Sequence, residues 1–261
     1  MHINGVELHV EDSGGSGQAV VFSHGLLWST KMWRFQVEAL RGRFRCIAFD
    51  HRGQGRSQTT ETGYDMDSLA LDAAALIEKL NLQPVHFVGL SMGGFVGMRL
   101  GARRPELLKS LSLIETAADS EPFLNVPKYK IMSAMSAVIG IKPFVPTVMK
   151  IMFGRSFLKD PAKAVVREEM RGQLLGINVP GMRKALDGVI TRKPFTEQVR
   201  VPTIVVSGEE DAAVVPARSR KLFEMIPGAR FVSIAKAGHT SSMENPEAVT
   251  AALLEHFQSL S

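Results

Sequence analysis

The sequence predicts an α/β fold: a parallel sheet with helices on both faces. Two observations lead there. The first is a set of short apolar runs, Ala19-Val20-Val21-Phe22, Cys46-Ile47-Ala48-Phe49 and Val85-His86-Phe87-Val88. Runs of this length without alternation suit strands buried on both sides, as parallel strands are. The second is helical spacing between the runs. Trp33, Val37 and Leu40 recur on one face, as do Leu69, Ala73, Leu76, Ile77 and Leu80 ahead of Asn81. With 261 residues, 45% of them apolar, the chain can bury the core such a fold needs.

Taken in order, Val6 to Val10 alternates, Gly14-Gly15-Ser16-Gly17 makes a loop, and Ala19 to Phe22 opens the buried strands. Arg45 to Phe49 is the next strand. Pro84 then opens the strand leading to Ser91, and Ser110 to Glu115 gives another. The rhythm stops there and resumes at Val201-Pro202-Thr203-Ile204-Val205-Val206, followed by a helix near Ser219 to Met225, a strand at Arg230 to Ile234 and a closing helix from Pro246 to Phe257. The intervening stretch of about eighty residues is helical in pattern and punctuated by prolines, and because both flanks follow the sheet pattern it reads as an insertion sitting above the sheet.

Several function classes are disfavoured from composition. The formal charge of +5 is spread along the chain rather than massed, which argues against nucleic acid as a partner. The start of the chain lacks a basic region followed by a long apolar core, so a cytoplasmic address is expected. The apolar stretch Ile131 to Phe153 is broken by Lys142, Pro143, Pro146 and Lys150, and no membrane partner is expected. The single cysteine, Cys46, sits inside a strand pattern and reads as a buried structural thiol.

Gly89-Leu90-Ser91-Met92-Gly93 is a G-x-S-x-G string between a strand and a helix, the context that exposes a serine as a nucleophile. A serine hydroxyl needs a base, and the base needs an orienting acid. His239, in a glycine-containing loop after a strand, and Asp211, just past the end of another, supply both. Glu209 and Glu210 are the neighbouring alternatives for the acid. All three positions map to the carboxyl edge of the sheet, where reacting groups of open α/β folds gather. An oxyanion needs backbone donors. The N–H of Met92 follows the nucleophile, and the Ser23-His24-Gly25-Leu26-Leu27 turn aims that of Leu26 inward, with His24 fixing the turn. The string Asp50-His51-Arg52-Gly53-Gln54-Gly55-Arg56-Ser57 lacks the P-loop lysine and reads as charged turn architecture.

Together, His24-Gly25, the Asp50 to Ser57 string, the Ser91 elbow, the Gly208 to Asp211 turn and Gly238-His239 resemble, in order, the landmarks of the α/β-hydrolase superfamily. The resemblance implies a mostly parallel eight-stranded sheet, a helical cap over residues 118–198 inserted into a core made of residues 1–117 and 199–261, no metal and no organic cofactor. It also implies Ser91, Asp211 and His239 as a triad with Leu26 and Met92 as oxyanion donors. Ser91 argues against the members of this fold that use an aspartate nucleophile, the haloalkane dehalogenases and epoxide hydrolases. Cofactor-free haloperoxidases and perhydrolases often carry proline where this chain has Leu27, and carbon–carbon bond hydrolases often place tryptophan where it has Thr240. The expected activity is therefore cofactor-independent hydrolysis of a small-molecule carboxylic ester or lactone. The alternatives are an enol-lactonase for a dicarboxylate lactone, a haloperoxidase or perhydrolase, and a slow small-ligand receptor. For the substrate pocket the cap offers Met132, Met135, Phe144, Met149 and Met152, and the oxyanion loop Trp28, with Trp33 in the core. Arg183, Lys184 and Arg192 are candidates for a substrate carboxylate, and an apolar cap face is available for a homo-oligomer.

Overall fold

The computed structural model describes residues 1–260. In chain order it contains β1 (His2–Ile3), β2 (Val6–Glu7), β3 (Val10–Asp12), β4 (Ala19–Ser23), α1 (Arg34–Leu40), β5 (Arg45–Phe49), α2 (Met66–Lys79), β6 (Val85–Leu90), α3 (Met92–Arg103) and β7 (Leu108–Ile114). Five helices follow without a strand: α4 (Asn125–Ile139), α5 (Val145–Met152), α6 (Arg155–Lys159), α7 (Ala164–Leu175) and α8 (Val179–Ile190). The chain ends with β8 (Thr203–Gly208), α9 (Pro216–Met225), β9 (Arg230–Ile234), α10 (Ser241–Glu244) and α11 (Pro246–Gln258).

The main sheet has seven strands in the order β3-β5-β4-β6-β7-β8-β9, all parallel except the pairing of β3 with β5. The resemblance implied eight. The difference lies at the start of the chain, where Asn4 (φ 45°) and Gly5 (φ 76°) reverse the backbone so that β1 and β2 pair with each other as a separate two-stranded hairpin. Two successive positive φ values give the turn that matches strand twist, and the first segment closes on itself instead of joining the sheet.

The central strands β4, β6 and β8 are buried at every position, as their unbroken apolar runs predict. One side of the sheet carries a core around Val21, Ile47, Phe87 and Leu111 with α2 and α3; the other gathers Val20, Phe22, Trp33, Val88 and Phe257. α2 begins with Asp65 capping the N–H groups of Asp67 and Ser68, which satisfies donors that a helix start leaves open. Cys46 is buried, and burial pushes its thiol up to about 12, so it is held as an inert thiol. No helix among the described residues is long and apolar enough to cross a membrane.

Two imidazoles far from the carboxyl edge carry a pH dependence. His86 bonds to Ser110 Oγ at 2.7 Å and stacks on Phe257, with ring centroids 4.2 Å apart. Burial, aided by nearby positive charge, pushes His86 and His256 down to about 4. In the unfolded chain both titrate near the ordinary histidine value of about 6.5. Between those values the unfolded state binds more protons than the folded one, so stability rises with pH across the window. The midpoint of thermal unfolding is expected to hold above roughly pH 6.5 and to fall steadily toward pH 4. His256→Gln should flatten that decline. An unchanged slope would show that other groups control it.

Candidate functional site

β6 runs directly into α3 with one residue between them, Ser91, whose backbone is held at φ 52° and ψ −110°. For a residue with a Cβ this conformation costs on the order of 1–3 kcal/mol, so the surroundings must enforce it. Ser91 N–H donates to Ile114 O at 2.8 Å, and Ser91 O accepts from Phe95 N–H at 2.9 Å, which locks the turn from both sides. Glycine is required around it. A Cβ on Gly93 would lie 2.0 Å from Ser23 O, and one on Gly89 would lie 2.3 Å from Gly93 O. The G-x-S-x-G string is thus the packing condition for bringing β4, β6 and α3 together at this point.

The β8–α9 turn presents Asp211. Its Oδ1 accepts from Ala213 N–H (2.8 Å) and Val214 N–H (2.9 Å), which leaves Oδ2 facing His239 Nδ1 at 2.8 Å. Both side chains are almost wholly buried. The Nδ1 proton donates to the carboxylate, and Nε2 is turned to the other side of the ring. Of the two alternative acids, Glu210 is committed to Ser156, accepting its N–H at 2.7 Å, and Glu209 reaches Ser233.

Ser91 and His239 line one cavity beneath the helical segment. They are not hydrogen-bonded to each other in this structure; such contacts are often long until a substrate closes the site. The loop after β4 lies alongside, since a Cβ on Gly25 would be 3.5 Å from Ser91 Cβ. His24 holds this loop, with Nδ1 donating to Gly25 O at 2.7 Å and Nε2 accepting His51 N–H at 3.0 Å. Both ring nitrogens are therefore occupied, and burial lowers its pKa. Leu27, two residues past Gly25, sits at φ 77° with its N–H bonded to Gln54 Oε1 at 2.9 Å. Leu26 borders the cavity, and Met92 is the first residue of α3, where backbone N–H groups have no partner within the helix.

The Asp50 to Ser57 string braces this loop. Asp50 Oδ1 accepts Thr30 N–H at 2.6 Å and Oδ2 accepts Arg56 N–H at 2.8 Å. Arg52 makes a paired contact with Asp72 at 2.6 and 2.7 Å, almost fully buried.

Of the pocket residues expected from sequence, Met132, Phe144 and Met152 line the cavity. Three do not. Trp28 follows the Leu27 reversal and turns into the core, edge-on to Phe153 at 5.7 Å. Met135 lies on the outer face of α4, because Tyr129, Met132, Ser133 and Ser136 take the inner face. Met149 packs into the core below α5, where Val148 and Met152 face the cavity instead. Lys184 reaches the carbonyls and carboxylate of the Thr60-Glu61 turn, and Arg183 reaches Ser133 Oγ. Arg192 does border the cavity, stacked over the Phe95 ring at 4.1 Å and 3.4 Å from the Glu121 carboxylate. Burial lowers it to about 10.

Two carboxyl groups of the site carried no sequence signal. Glu115, at the end of β7 with φ 45°, accepts Gly208 N–H at 3.1 Å. Burial first, and the adjacent Asp211 second, push it well above the usual carboxylate range. Glu244 accepts the N–H groups of Gly238 (2.9 Å), Thr240 (3.1 Å) and Gly154 (2.8 Å), gripping both sides of His239 and tying them to the start of α6. Neither stands in a motif; each is defined only by what folds around it.

Known proteins share this fold over nearly the whole chain. The enol-lactonase of Burkholderia xenovorans LB400 superposes with a TM-score of 0.91 at 29% identity, covering 99% of both chains. A thermophilic esterase from Thermogutta terrifontis does so at 0.90 and 29% identity, covering 98% of this chain and 94% of the other. A protein of Mycobacterium tuberculosis named as a candidate non-heme bromoperoxidase, BpoC, is 30% identical over 95% of this chain and 97% of its own. The sequence pattern described as the alpha/beta hydrolase family matches residues 20–252. With the sheet order, the helical segment between β7 and β8 and this match in agreement, the chain belongs to the α/β hydrolase family.

Proposed function

We propose that this chain is a cofactor-independent serine hydrolase that cleaves a carboxylic ester or lactone through an acyl-enzyme. The observation that carries the reading is the shared cavity: a serine held on a strained turn and an imidazole oriented by a buried aspartate open on the same apolar space. In this reading His239 Nε2 takes the Ser91 proton as Oγ attacks the carbonyl carbon. Asp211 keeps the proton on Nδ1 and stabilises the imidazolium that forms. The N–H groups of Leu26 and Met92 receive the oxyanion. His239 then returns its proton to the leaving alkoxide and activates the water that releases the acid.

Two details bear on the substrate. Arg192 is the one arginine bordering the cavity among the described residues, and Glu121 balances its charge. A dicarboxylate lactone would find no uncompensated cation there, so an uncharged acyl group fits better. Leu27 bears on peroxide chemistry. A proline at that position could neither adopt φ 77° nor donate to Gln54, so the proline-bearing loop of perhydrolases is foreign to this backbone.

A screen of esters and lactones of graded acyl length, each with and without a terminal carboxylate and with and without peroxide, tests the reading. Neutral esters or lactones should turn over fastest, with little gain from peroxide. Faster turnover of carboxylate-tipped substrates would favour the enol-lactonase reading, and bromination or peracid formation outpacing hydrolysis would overturn the assignment.

A further inference from the structure

The outer face of α4 and the loop before it are apolar and unpartnered. Among the described residues, half of the large exposed apolar side chains lie between residues 123 and 139: Phe123, Leu124, Ile131, Met135, Val138 and Ile139. Their exposure is extensive, reaching 76% at Leu124, 80% at Phe123 and 85% at Val138. Leu124, Ile131, Met135 and Val138 recur at helical spacing and form one stripe. The opposite face of the same helix borders the cavity above Ser91 through Tyr129, Met132, Ser133 and Ser136. An isolated exposed leucine needs no explanation, but a clustered stripe on one helix marks a contact surface.

The charge around the stripe identifies what it contacts. From Pro122 to Lys159 the sequence contains no aspartate or glutamate, yet it contains Lys128, Lys130, Lys142, Lys150, Arg155 and Lys159. Lys128, Lys130, Lys142 and Lys150 are exposed, and none forms an ion pair among the described residues. A second copy docking on this face through a two-fold axis would set the same lysines against one another, and the segment that carries them supplies no acid of its own to meet them. An anionic lipid surface offers what the face lacks: an apolar layer for the stripe and negative headgroups for the lysines of the segment.

We infer that the outer face of α4 docks on anionic lipid bilayers, in contrast to the expectation from sequence that no membrane is a partner. The protein lies on the bilayer and does not span it. The docking does not depend on hydrolysis, so Ser91→Ala protein can be tested alongside the wild type, and failure of the ester reading would leave the result intact.

The experiment is cosedimentation with vesicles of phosphatidylcholine alone and of phosphatidylcholine containing about one third phosphatidylglycerol, at low and high salt. Both proteins should sediment with the anionic vesicles, far less with the neutral ones, and be released by salt. Lys128→Glu with Lys130→Glu should weaken partitioning about tenfold or more. Ile131→Ser with Val138→Ser should weaken it as well, while hydrolysis of a short soluble ester stays unchanged, since none of these four side chains borders the cavity. Absence of sedimentation, binding indifferent to lipid charge, or binding untouched by both pairs of substitutions would overturn the inference. So would a concentration-dependent dimer abolished by Ile131→Ser with Val138→Ser in protein that ignores vesicles, which would assign the face to a second copy.

Discussion

Ser91→Ala is expected to lower kcat on an activated short ester by on the order of 10⁶, and Asp211→Asn by about 10⁴. The two differ because they remove different things. Without Oγ no acyl-enzyme forms. With asparagine at 211, the contact to His239 Nδ1, now 2.8 Å from a carboxylate oxygen, no longer holds the proton on that nitrogen, and Nε2 is no longer presented as a base. The groups act as a unit, so Ser91→Ala with His239→Ala should be scarcely worse than either alone. A burst of nitrophenol from wild-type protein, absent in Ser91→Ala, reports the covalent step. If Ser91→Ala retained wild-type turnover, the nucleophile would have to be sought elsewhere.

Arg52→Met is expected to lower stability by about 3–5 kcal/mol, because it leaves Asp72 buried without its cation. Asp72 is essentially inaccessible and makes two bonds to the guanidinium plus one from Asn4 Nδ2 at 2.8 Å. The asparagine supplies no charge, so the carboxylate would have to remain ionised in a poor medium or take up a proton. For a chain of this size the thermal midpoint should drop by roughly 10 °C. Replacing both partners, as Arg52→Met with Asp72→Leu, should recover much of the loss, since an apolar pair removes the desolvation cost along with the attraction. Urea unfolding of the single and double variants measures both. A double variant as unstable as the single would mean that Arg52 stabilises through packing rather than charge.

The landmarks of the site were legible because local chain geometry demands particular residues there. Gly89 and Gly93 face backbone at distances that no Cβ tolerates. Gly25 and His24 set a turn whose bonds lie within the loop and its neighbour. Acidic and imidazole groups just past buried strands fall on the carboxyl edge wherever the strands are parallel. The pocket was less legible. Met132 and Met135 are chemically alike and three residues apart, yet one borders the cavity and the other is exposed. At i, i+3 the two lie only about 60° apart around the helix, so the edge of the covered face falls between them, and spacing does not say where that edge lies. Trp28 was misplaced for a related reason: the positive φ at Leu27 redirects the chain, and nothing in a leucine announces it.

From residue order alone came the strand–helix alternation, the inserted helical stretch and the placement of a serine, an aspartate and a histidine at strand ends, since each rests on periodicity or on steric requirements within a few residues. The hairpin that leaves seven strands in the sheet is likewise local, set by the Asn4-Gly5 turn. Tertiary structure alone brought Glu115 and Glu244 in behind Asp211 and His239, set Glu121 against Arg192, and left one face of α4 bare. Those outcomes depend on groups tens or hundreds of residues apart meeting with their charges, bonds and volumes matched, and no local pattern encodes such a meeting.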